Sequence, residues 1–287
     1  TEDLVGITFN AGYGWIVGLS GRAYGFTYDL IDARMYRFST IRKGLNFDGE
    51  NTFVDLGRKS SFGVDKSLSL MAWIYPTAFG EFSGIIGNRR LIGADSRGYG
   101  LILNRFGQVG MVITRSNGVA QWVWSDSTVK LNRWSHVSGV FDGTSMQIYI
   151  DGVVRGRISF ATMQMLPTDD KMTIGWYQGY YRSFFNGSID DVSIWGTACP
   201  QSHVRRSMHD RLVGIEPWLI GAWHVGEGGG RSVMDVTTGH EDMVVAGNSV
   251  ERTPLVSVGR SWHGIVDRVG NFYVDGTDSR FDIRTIT

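Results

Sequence analysis

The sequence is poor in cysteine and proline and carries no net charge. Among 287 residues there are five prolines and a single cysteine, Cys199. One cysteine excludes an internal disulfide and a cysteine-based zinc site, and we interpret Cys199 as a buried structural thiol. The 28 basic and 28 acidic residues cancel. Nucleic-acid-binding proteins usually carry a basic surface, so we expect no nucleic-acid partner.

Long apolar runs are absent as well. No run reaches the roughly 18–20 residues needed to cross a membrane, so no membrane span is expected. Residues 1–4 lack the basic segment of a signal peptide. Loss of an initiator methionine and cleavage of a leader would each produce such a start, and both alternatives stay open.

The chain also lacks the residue patterns of common hydrolases. Neither Gly-x-Ser-x-Gly nor His-Glu-x-x-His occurs in it. The nearest acidic pair, Asp190 and Asp191, consists of adjacent residues, which a strand points to opposite faces. Glycosidases need two carboxyl groups on either side of the scissile bond, about 5–5.5 Å or 6.5–9.5 Å apart. We therefore expect no enzymatic activity.

Glycine and aromatic residues are abundant: 39 Gly, 15 Phe, 11 Tyr and 10 Trp. This composition is typical of a β protein with many turns, because glycine permits φ > 0 and aromatic residues favour strands. An apolar run at 68–75, ended by Pro76, predicts a buried strand. Asp151-Gly152 between apolar runs is a strong hairpin signal, and residues 98–103 and 108–113 predict another hairpin. Strands this close together are antiparallel.

Helical periodicity is rare in the chain. Val204, Met208 and Leu212 recur at i, i+4 and i+8 after Pro200, which predicts one short helix over residues 201–212. We therefore predict an all-β protein, an antiparallel β-sandwich with one short helix.

One ordered series of motifs is more specific than composition. Its segments are residues 45–49, 53–56, 70–74, 133–137, 147–152, 172–175 and 185–195. In order and spacing the series resembles the laminin-G-like (LamG-like) jelly-roll modules of the concanavalin A-like lectin and glucanase superfamily. The resemblance covers about residues 40–210. It implies a concanavalin A-like jelly-roll fold.

The resemblance divides the chain into three parts. We expect an N-terminal extension at 1–40, a LamG-like jelly-roll domain at 41–212 and a β-rich C-terminal extension at 213–287. The segment around 219–235 resembles a lead-in that such modules often carry, although here it follows the module. It either completes the sandwich or opens a second unit, and the sequence leaves both open.

An aromatic segment at 176–185 gives the strongest indication of a ligand. It lies between two predicted strands and therefore forms a loop at one end of the sandwich, where so many rings cannot all pack inward. Trp122 and Trp124 share one face of a strand, with Gln121, Val123 and Ser125 on the other, so they are expected to line the same rim. The candidate ligand-binding residues are Trp176, Tyr177, Tyr180, Tyr181, Arg182, Asn186, Trp122 and Trp124.

Two interpretations fit these rings. Sugars stack their C–H faces on Trp and Tyr, while Arg and Asn bond their hydroxyl groups. Protein interfaces are enriched in the same residues. We thus expect a non-catalytic carbohydrate-binding or adhesion protein that recognises glycans or a glycosylated surface. The alternative is a structural assembly subunit on a virion or phage surface, whose LamG-like domain and terminal arms contact other protein subunits. Both imply an extracellular location or one on a virion or cell surface.

The resemblance also implies a calcium ion as cofactor. Related modules often hold Ca²⁺ through an aspartate that corresponds here to Asp190, with Asp48 as a partner. Calcium takes 6–8 oxygen ligands, so backbone carbonyls must complete the shell. The alternative is that Asp190 only accepts backbone hydrogen bonds between the sheets.

Overall fold

Alternating strand residues and glycine-containing turns build two antiparallel sheets that pack face to face. The structure is a computed structural model, and it describes residues 4–10, 13–18, 23–27, 38–92, 95–178, 183–210, 212–225, 232–233, 235–237, 243–246, 254–260, 264–266 and 272–274. The chain divides into two compact units. Residues 43–208 and 212–254 form one, and residues 1–42, 209–211 and 255–287 form the other.

The elements follow one another in short steps along the chain. The strands before the helix are β1 (Leu4–Asn10), β2 (Tyr13–Gly18), β3 (Ala23–Thr27), β4 (Phe38–Lys43), β5 (Leu45–Asp48), β6 (Phe53–Asp55), β7 (Leu68–Ala78), β8 (Phe82–Gly87), β9 (Arg90–Ile92), β10 (Asp95–Arg97), β11 (Tyr99–Asn104), β12 (Gln108–Thr114), β13 (Ala120–Thr128), β14 (Ser135–Phe141), β15 (Ser145–Ile150), β16 (Val153–Ser159), β17 (Thr173–Ile174) and β18 (Asn186–Trp195). After them come helix α1 (Gln201–Ser207) and the strands β19 (Leu219–Trp223), β20 (Ser232–Val233), β21 (Met243–Ala246), β22 (Pro254–Arg260), β23 (Gly264–Val266) and β24 (Phe272–Val274). One turn of 3₁₀-helix spans Ser60–Phe62.

The sandwich consists of an eight-stranded and a seven-stranded sheet. The larger has the order β13-β12-β11-β8-β17-β6-β21-β20, and the smaller β16-β15-β14-β7-β18-β19, with β5 also paired to β18. The neighbouring strands in both sheets run antiparallel. The predicted antiparallel β-sandwich with one short helix is therefore confirmed. In the second unit β1, β2 and β3 form a three-stranded sheet, and β23 and β24 form a hairpin.

The hydrophobic core lies between the two sheets. Side chains of the larger sheet that point inward include Leu101, Leu103, Met111 and Ile113, all at most 1% exposed. Burial of one such side chain contributes about 1.5–3 kcal/mol relative to its exposure to water. Because strand residues alternate between faces, every second residue of β11 and β12 is left for the opposite, outer face of the sheet. That outer face carries the candidate site.

Both predicted hairpins are present, and two predicted boundaries are wrong. Strand β7 continues through Pro76 to Ala78. It can do so because β14 pairs with β7 only as far as Ile74, and the pairing of Pro76 with β18 lies next to a register shift. Helix α1 ends at Ser207 rather than at residue 212. The Leu212 carbonyl instead accepts a 3.1 Å bond from Nε2 of His224.

Strands beyond residue 213 pair with the sandwich. Strand β19 adds to β18 at the edge of the smaller sheet, and β21 pairs with β6 in the larger one. The division of the chain at residues 40 and 212 stays a prediction. No helix in the described part of the chain is both long enough and apolar enough to cross a membrane.

Candidate functional site

The outer face of the larger sheet carries a layer of aromatic rings. Ile102 of β11 and Val112 of β12 point outward there, and each is fully buried beneath this layer. Four rings form the layer, contributed by β8, by β13 and by the segment after β17. We call this layer the aromatic face, and it consists of Phe82, Trp122, Trp124 and Tyr177.

The rings of the aromatic face touch one another continuously. Trp122 and Trp124 are two residues apart on β13, with ring centroids 5.7 Å apart and planes only 5° from parallel. Phe82 lies 6.2 Å from each of them, and Tyr177 lies 6.4 Å from both Phe82 and Trp122. Tyr177 is buried, whereas the other three rings are only half-buried. Half-exposed rings in contact with one another present an apolar surface to solvent.

Tyr177 reaches this face because the segment after β17 folds back over β8. The amides of Gly84 and Tyr177 both donate to the Ser183 carbonyl at 3.1 Å, and Oγ of Ser183 donates to the Tyr177 carbonyl at 2.5 Å. A Cβ atom on Gly84 would lie only 2.2 Å from the carbonyl carbon of Trp176. The close approach of the two backbones therefore requires glycine at position 84.

Trp176, the neighbour of Tyr177, belongs to a different aromatic group. Its ring stacks on Phe184 at 5.6 Å with an interplanar angle of 12°, and it lies 5.0 Å from Phe53. Nζ of Lys171 lies 5.6 Å from the Trp176 ring and is also bonded to the carboxylate of Asp55 at 2.9 Å. The structure thus brings Tyr177, Trp122 and Trp124 together and directs Trp176 elsewhere. Tyr180, Tyr181 and Arg182 lie outside the described residues.

Asn186 and Asp48 lie together, at paired ends of β18 and β5. Nδ2 of Asn186 donates to the Asp48 carbonyl at 3.3 Å, and Oδ1 of Asn186 accepts from Thr77 at 2.5 Å. Oδ1 of Asp48 accepts the amides of three residues that follow it, each at 2.9 Å. Partial burial raises the pKa of Asp48, but these backbone bonds outweigh it and hold the pKa below its ordinary value.

Asp190 is not next to Asp48. It lies four residues beyond Asn186 on β18, about 13 Å along the strand at the usual rise per residue. Asp190 is 7% exposed and is paired in register with Trp73 of β7. Among the residues with described side chains, no group of three or more His, Cys, Asp or Glu is placed to hold a metal. The two aspartates do not form one shared ligand set, and calcium stays a prediction.

Asp191, next in the chain, adopts φ +43° at a register shift between β18 and β7. Its carboxylate lies 2.7 Å from Nδ1 of His224, and the histidine is 5% exposed. The His224 ring therefore lies between a carboxylate and the Leu212 carbonyl, and it fastens β19 to the sandwich.

Sequence reasoning missed two members of the site. Phe82 lies two residues before Gly84 on β8, so strand alternation places both on the outer face, but Phe82 was not singled out. Arg89, whose Nη1 bonds the hydroxyl of Tyr177, carries no recognisable sequence signal. It comes next to Tyr177 only through long-range strand pairing.

With this geometry in place, comparison with known proteins identifies the class. A profile of the Concanavalin A-like lectin/glucanases superfamily, laminin G type, matches residues 48–205, which is more than half of the chain. The chain belongs to this family, and its fold is a lectin-like jelly roll. No curated protein sequence matches the chain.

Solved structures share the fold at low sequence identity. A provisionally assigned carbohydrate-binding protein from Bacteroides ovatus is similar with a TM-score of 0.56 and 16% identity, over 88% of this chain and 72% of that one. The CBM40 domain of the Ruminococcus gnavus IT-sialidase, bound to α2,3-sialyllactose, gives a TM-score of 0.48 at 15% identity over 60% of this chain and 96% of that one. The heptameric SAP-like pentraxin of Limulus polyphemus gives 0.45 at 15% identity over 57% and 81%.

Proposed function

We propose that this chain is a non-catalytic carbohydrate-binding protein that acts outside the cell or on the surface of a cell or virion. The aromatic face is the observation that carries the proposal. A pyranose ring presents an apolar C–H face that packs well on Trp and Phe, and three such rings are half-exposed here. The Bacteroides ovatus protein, which shares the fold and is assigned to carbohydrate binding, supports the same function.

Polar groups lie beside the rings, as sugar recognition requires. Asn104 pairs with Phe82 across β11 and β8, and its Nδ2 donates to Oε1 of Gln108 at 2.9 Å. Nε2 of Gln108 donates to the Ser125 carbonyl at 2.9 Å. Each side-chain amide has two N–H groups, so each keeps one that can bond a sugar hydroxyl. The half-buried position of both residues leaves this edge of the face accessible to a ligand.

Binding without hydrolysis is proposed because the acidic pair Asp190 and Asp191 lies on β18, in the sheet opposite the aromatic face. The remaining predicted residues extend the proposal. Tyr180, Tyr181 and Arg182 continue the segment that carries Tyr177 and would add contacts to a longer glycan, and a calcium ion at Asp190 would order the neighbouring loops.

The test is a glycan array with purified protein, in calcium and in EDTA, with the variant Trp124→Ala beside the wild type. Removal of this ring takes away half of the stacked pair without touching Arg89, and we expect binding to weaken about tenfold or more. Phe106→Ala is the matched control. Phe106 is an aromatic residue in the turn between β11 and β12, 63% exposed, and its loss should leave binding unchanged.

Each arm of the array has a distinct meaning. Trp176→Ala, compared with Trp124→Ala, shows whether the second aromatic group also contacts the glycan. Loss of binding in EDTA would support the calcium prediction. No binding to any glycan in either condition would contradict the proposed function.

An assembly subunit is the second candidate function, and one observation favours it. Val213, Ile215 and Trp218 are 58%, 78% and 72% exposed in one short segment, where the carboxylate of Glu216 fixes the turn by accepting two backbone amides at 2.8 and 2.9 Å. An ordered turn that presents apolar side chains suits contact with another copy of the chain. Light scattering should show an oligomer that Trp218→Ser dissociates. A wild-type monomer at high concentration would contradict this function.

A further inference from the structure

A buried cation lies directly behind the aromatic face. Arg89 follows β8 and is 3% exposed. Its Nη1 donates to the hydroxyl of Tyr177 and its Nη2 donates to Oγ of Ser96 at 2.7 Å. Ser96 is in turn 3.3 Å from the hydroxyl of Thr114. The guanidinium is therefore held in a fixed position by neutral hydroxyl groups.

The positive charge of Arg89 has no negative partner among the residues that the structure describes. Of the five N–H groups of a guanidinium, two are bonded to these hydroxyls, and the buried Nε has no hydrogen-bond partner. Lys171, with a side chain 34% exposed, has the carboxylate of Asp55 at 2.9 Å. Among the described residues the more exposed cation is therefore paired, whereas the buried one is not. A buried charge without a partner is costly, so a bound group of opposite charge would relieve that cost at Arg89.

Arg89 is bordered by two aromatic rings, one of which is partly exposed. Its Cζ lies 5.3 Å from the Trp122 ring and 5.9 Å from the Tyr177 ring. Trp122 is half-buried and forms part of the proposed sugar platform. Trp124 stacks on this ring and Arg89 lies over it, so a sugar would contact the exposed part of Trp122, and only a substituent that projects from the sugar would reach the guanidinium. The planar fork of Arg is suited to a carboxylate or a sulfate, which accept two parallel N–H bonds.

We propose that Arg89 binds an anionic substituent of the glycan, so that this chain selects acidic sugars, with a carboxylate or a sulfate group, over neutral ones. The inference rests on the proposed function and specifies its ligand class. Arg89 would bond the anion with the N–H groups that have no partner among the described residues, and the exposed part of Trp122 would contact the sugar that carries the anion.

The test uses sugar oligomers that differ at one position. Galactose-based oligosaccharides are compared in three forms, with C6 as a neutral hydroxymethyl group, as the carboxylate of galacturonate, or as a 6-sulfate. Affinities are measured by calorimetry for the wild type, Arg89→Gln and Arg105→Gln, and a matching glucose series covers the other common ring stereochemistry. Arg105 is the matched control, because it carries the same charge on an exposed turn of the same sheet, in an ion pair with Glu81.

We expect the wild type to bind at least one anionic form about 10- to 100-fold more tightly than the neutral form, as expected for a charge-assisted contact. The carboxylate and sulfate arms show which anion fits. Arg89→Gln should lose this preference while still binding the neutral sugar, and Arg105→Gln should keep it. Arg89→Lys, which keeps the charge without the fork, should keep only part of it.

Three results would overturn the inference. Equal wild-type affinity for the neutral and anionic forms removes it and leaves the proposed function intact. A preference that survives in a folded Arg89→Gln protein, checked by circular dichroism, assigns Arg89 a purely structural role over Trp122. No binding of any form removes both the inference and the proposed function. If Arg89→Gln does not fold, the wild-type comparison still shows whether anionic sugars are preferred, and Arg89→Lys still shows whether that preference depends on the guanidinium.

Discussion

Gly84 controls the position of the segment that carries Tyr177, and its replacement by alanine tests the site most directly. An added Cβ would lie 2.2 Å from the carbonyl carbon of Trp176, 2.3 Å from the amide nitrogen of Tyr177 and 2.5 Å from the Trp176 carbonyl oxygen. Carbon atoms in van der Waals contact are about 3.5–4.0 Å apart. Because all three atoms belong to the backbone, the segment must move by more than an ångström to relieve the clash.

The cost has two parts. Overpacking of a well-packed site costs about 1–3 kcal/mol. Displacement of the segment also breaks the 3.1 Å bond from the Gly84 amide to Ser183, for about 0.5–1.5 kcal/mol more. The two parts sum to about 1.5–4.5 kcal/mol, and for a unit of this size each kcal/mol corresponds to about 2–4 °C, so Gly84→Ala should lower the melting temperature by about 3–18 °C. It should also weaken glycan binding, because Tyr177 leaves the aromatic face and releases Arg89.

Gly100→Ala is the matched control for this experiment. Gly100 lies on β11, and a Cβ there would meet its nearest atoms, the Ile86 carbonyl oxygen and the Tyr177 ring, at 3.6 and 3.7 Å, which is ordinary contact. Thermal unfolding followed by circular dichroism and glycan binding are measured for both variants. A Gly84→Ala protein that melts and binds like Gly100→Ala would refute the packing of Trp176 and Tyr177 on β8.

Three further predictions concern titration, thiol reactivity and the edge of the smaller sheet. For Asp48 and Asp142, burial raises the pKa but local hydrogen bonds outweigh it, so both folded pKa values lie below the ordinary 3.8. Their contribution to the free energy of unfolding is complete above that value and is lost as the pH falls through the folded pKa values. Urea unfolding between pH 6 and 2 should show this loss of stability, and the loss should be smaller in Asp142→Asn. Burial raises the pKa of the Cys199 thiol to about 11. A thiol reagent at pH 8 should therefore modify it only after denaturation, and fast modification of the native protein would contradict its burial. Asp191→Asn weakens the 2.7 Å contact with His224 and should lower the free energy of unfolding by about 1–3 kcal/mol in urea titrations, and an unchanged value would show that the contact contributes nothing.

Local patterns predicted the fold well. The Asp151-Gly152 turn has φ +50° and +71°, as an Asp-Gly hairpin requires, and it joins β15 to β16. Such signals depend only on neighbouring residues, so the sequence contains all the information they need. The end of helix α1 was mispredicted: the apolar spacing of Met208 and Leu212 continues past Ser207, but the helix does not.

The candidate site could be predicted only in part. Alternation along one strand placed Trp122 and Trp124 on a common face, and the structure shows their rings in contact. Phe82 and Arg89 lie about 30–40 residues earlier in the chain. They come close to these rings because the sheet order β13-β12-β11-β8 places only two strands between β8 and β13. Strand order is a property of the whole fold, and no local pattern reports it.

Strand order also has a consequence for how the chain is made. Strand β6 pairs with β21, so residues 53–55 can complete their hydrogen bonds only after residues 243–246 have been synthesised. At about 5–20 residues per second, synthesis of the roughly 190 residues between them takes about 10–40 s. During that time one side of β6 has open hydrogen-bonding groups, which are a template for pairing with another chain. The growing polypeptide therefore keeps an open edge on β6, where another chain can pair, after the rest of the larger sheet up to β17 has been synthesised.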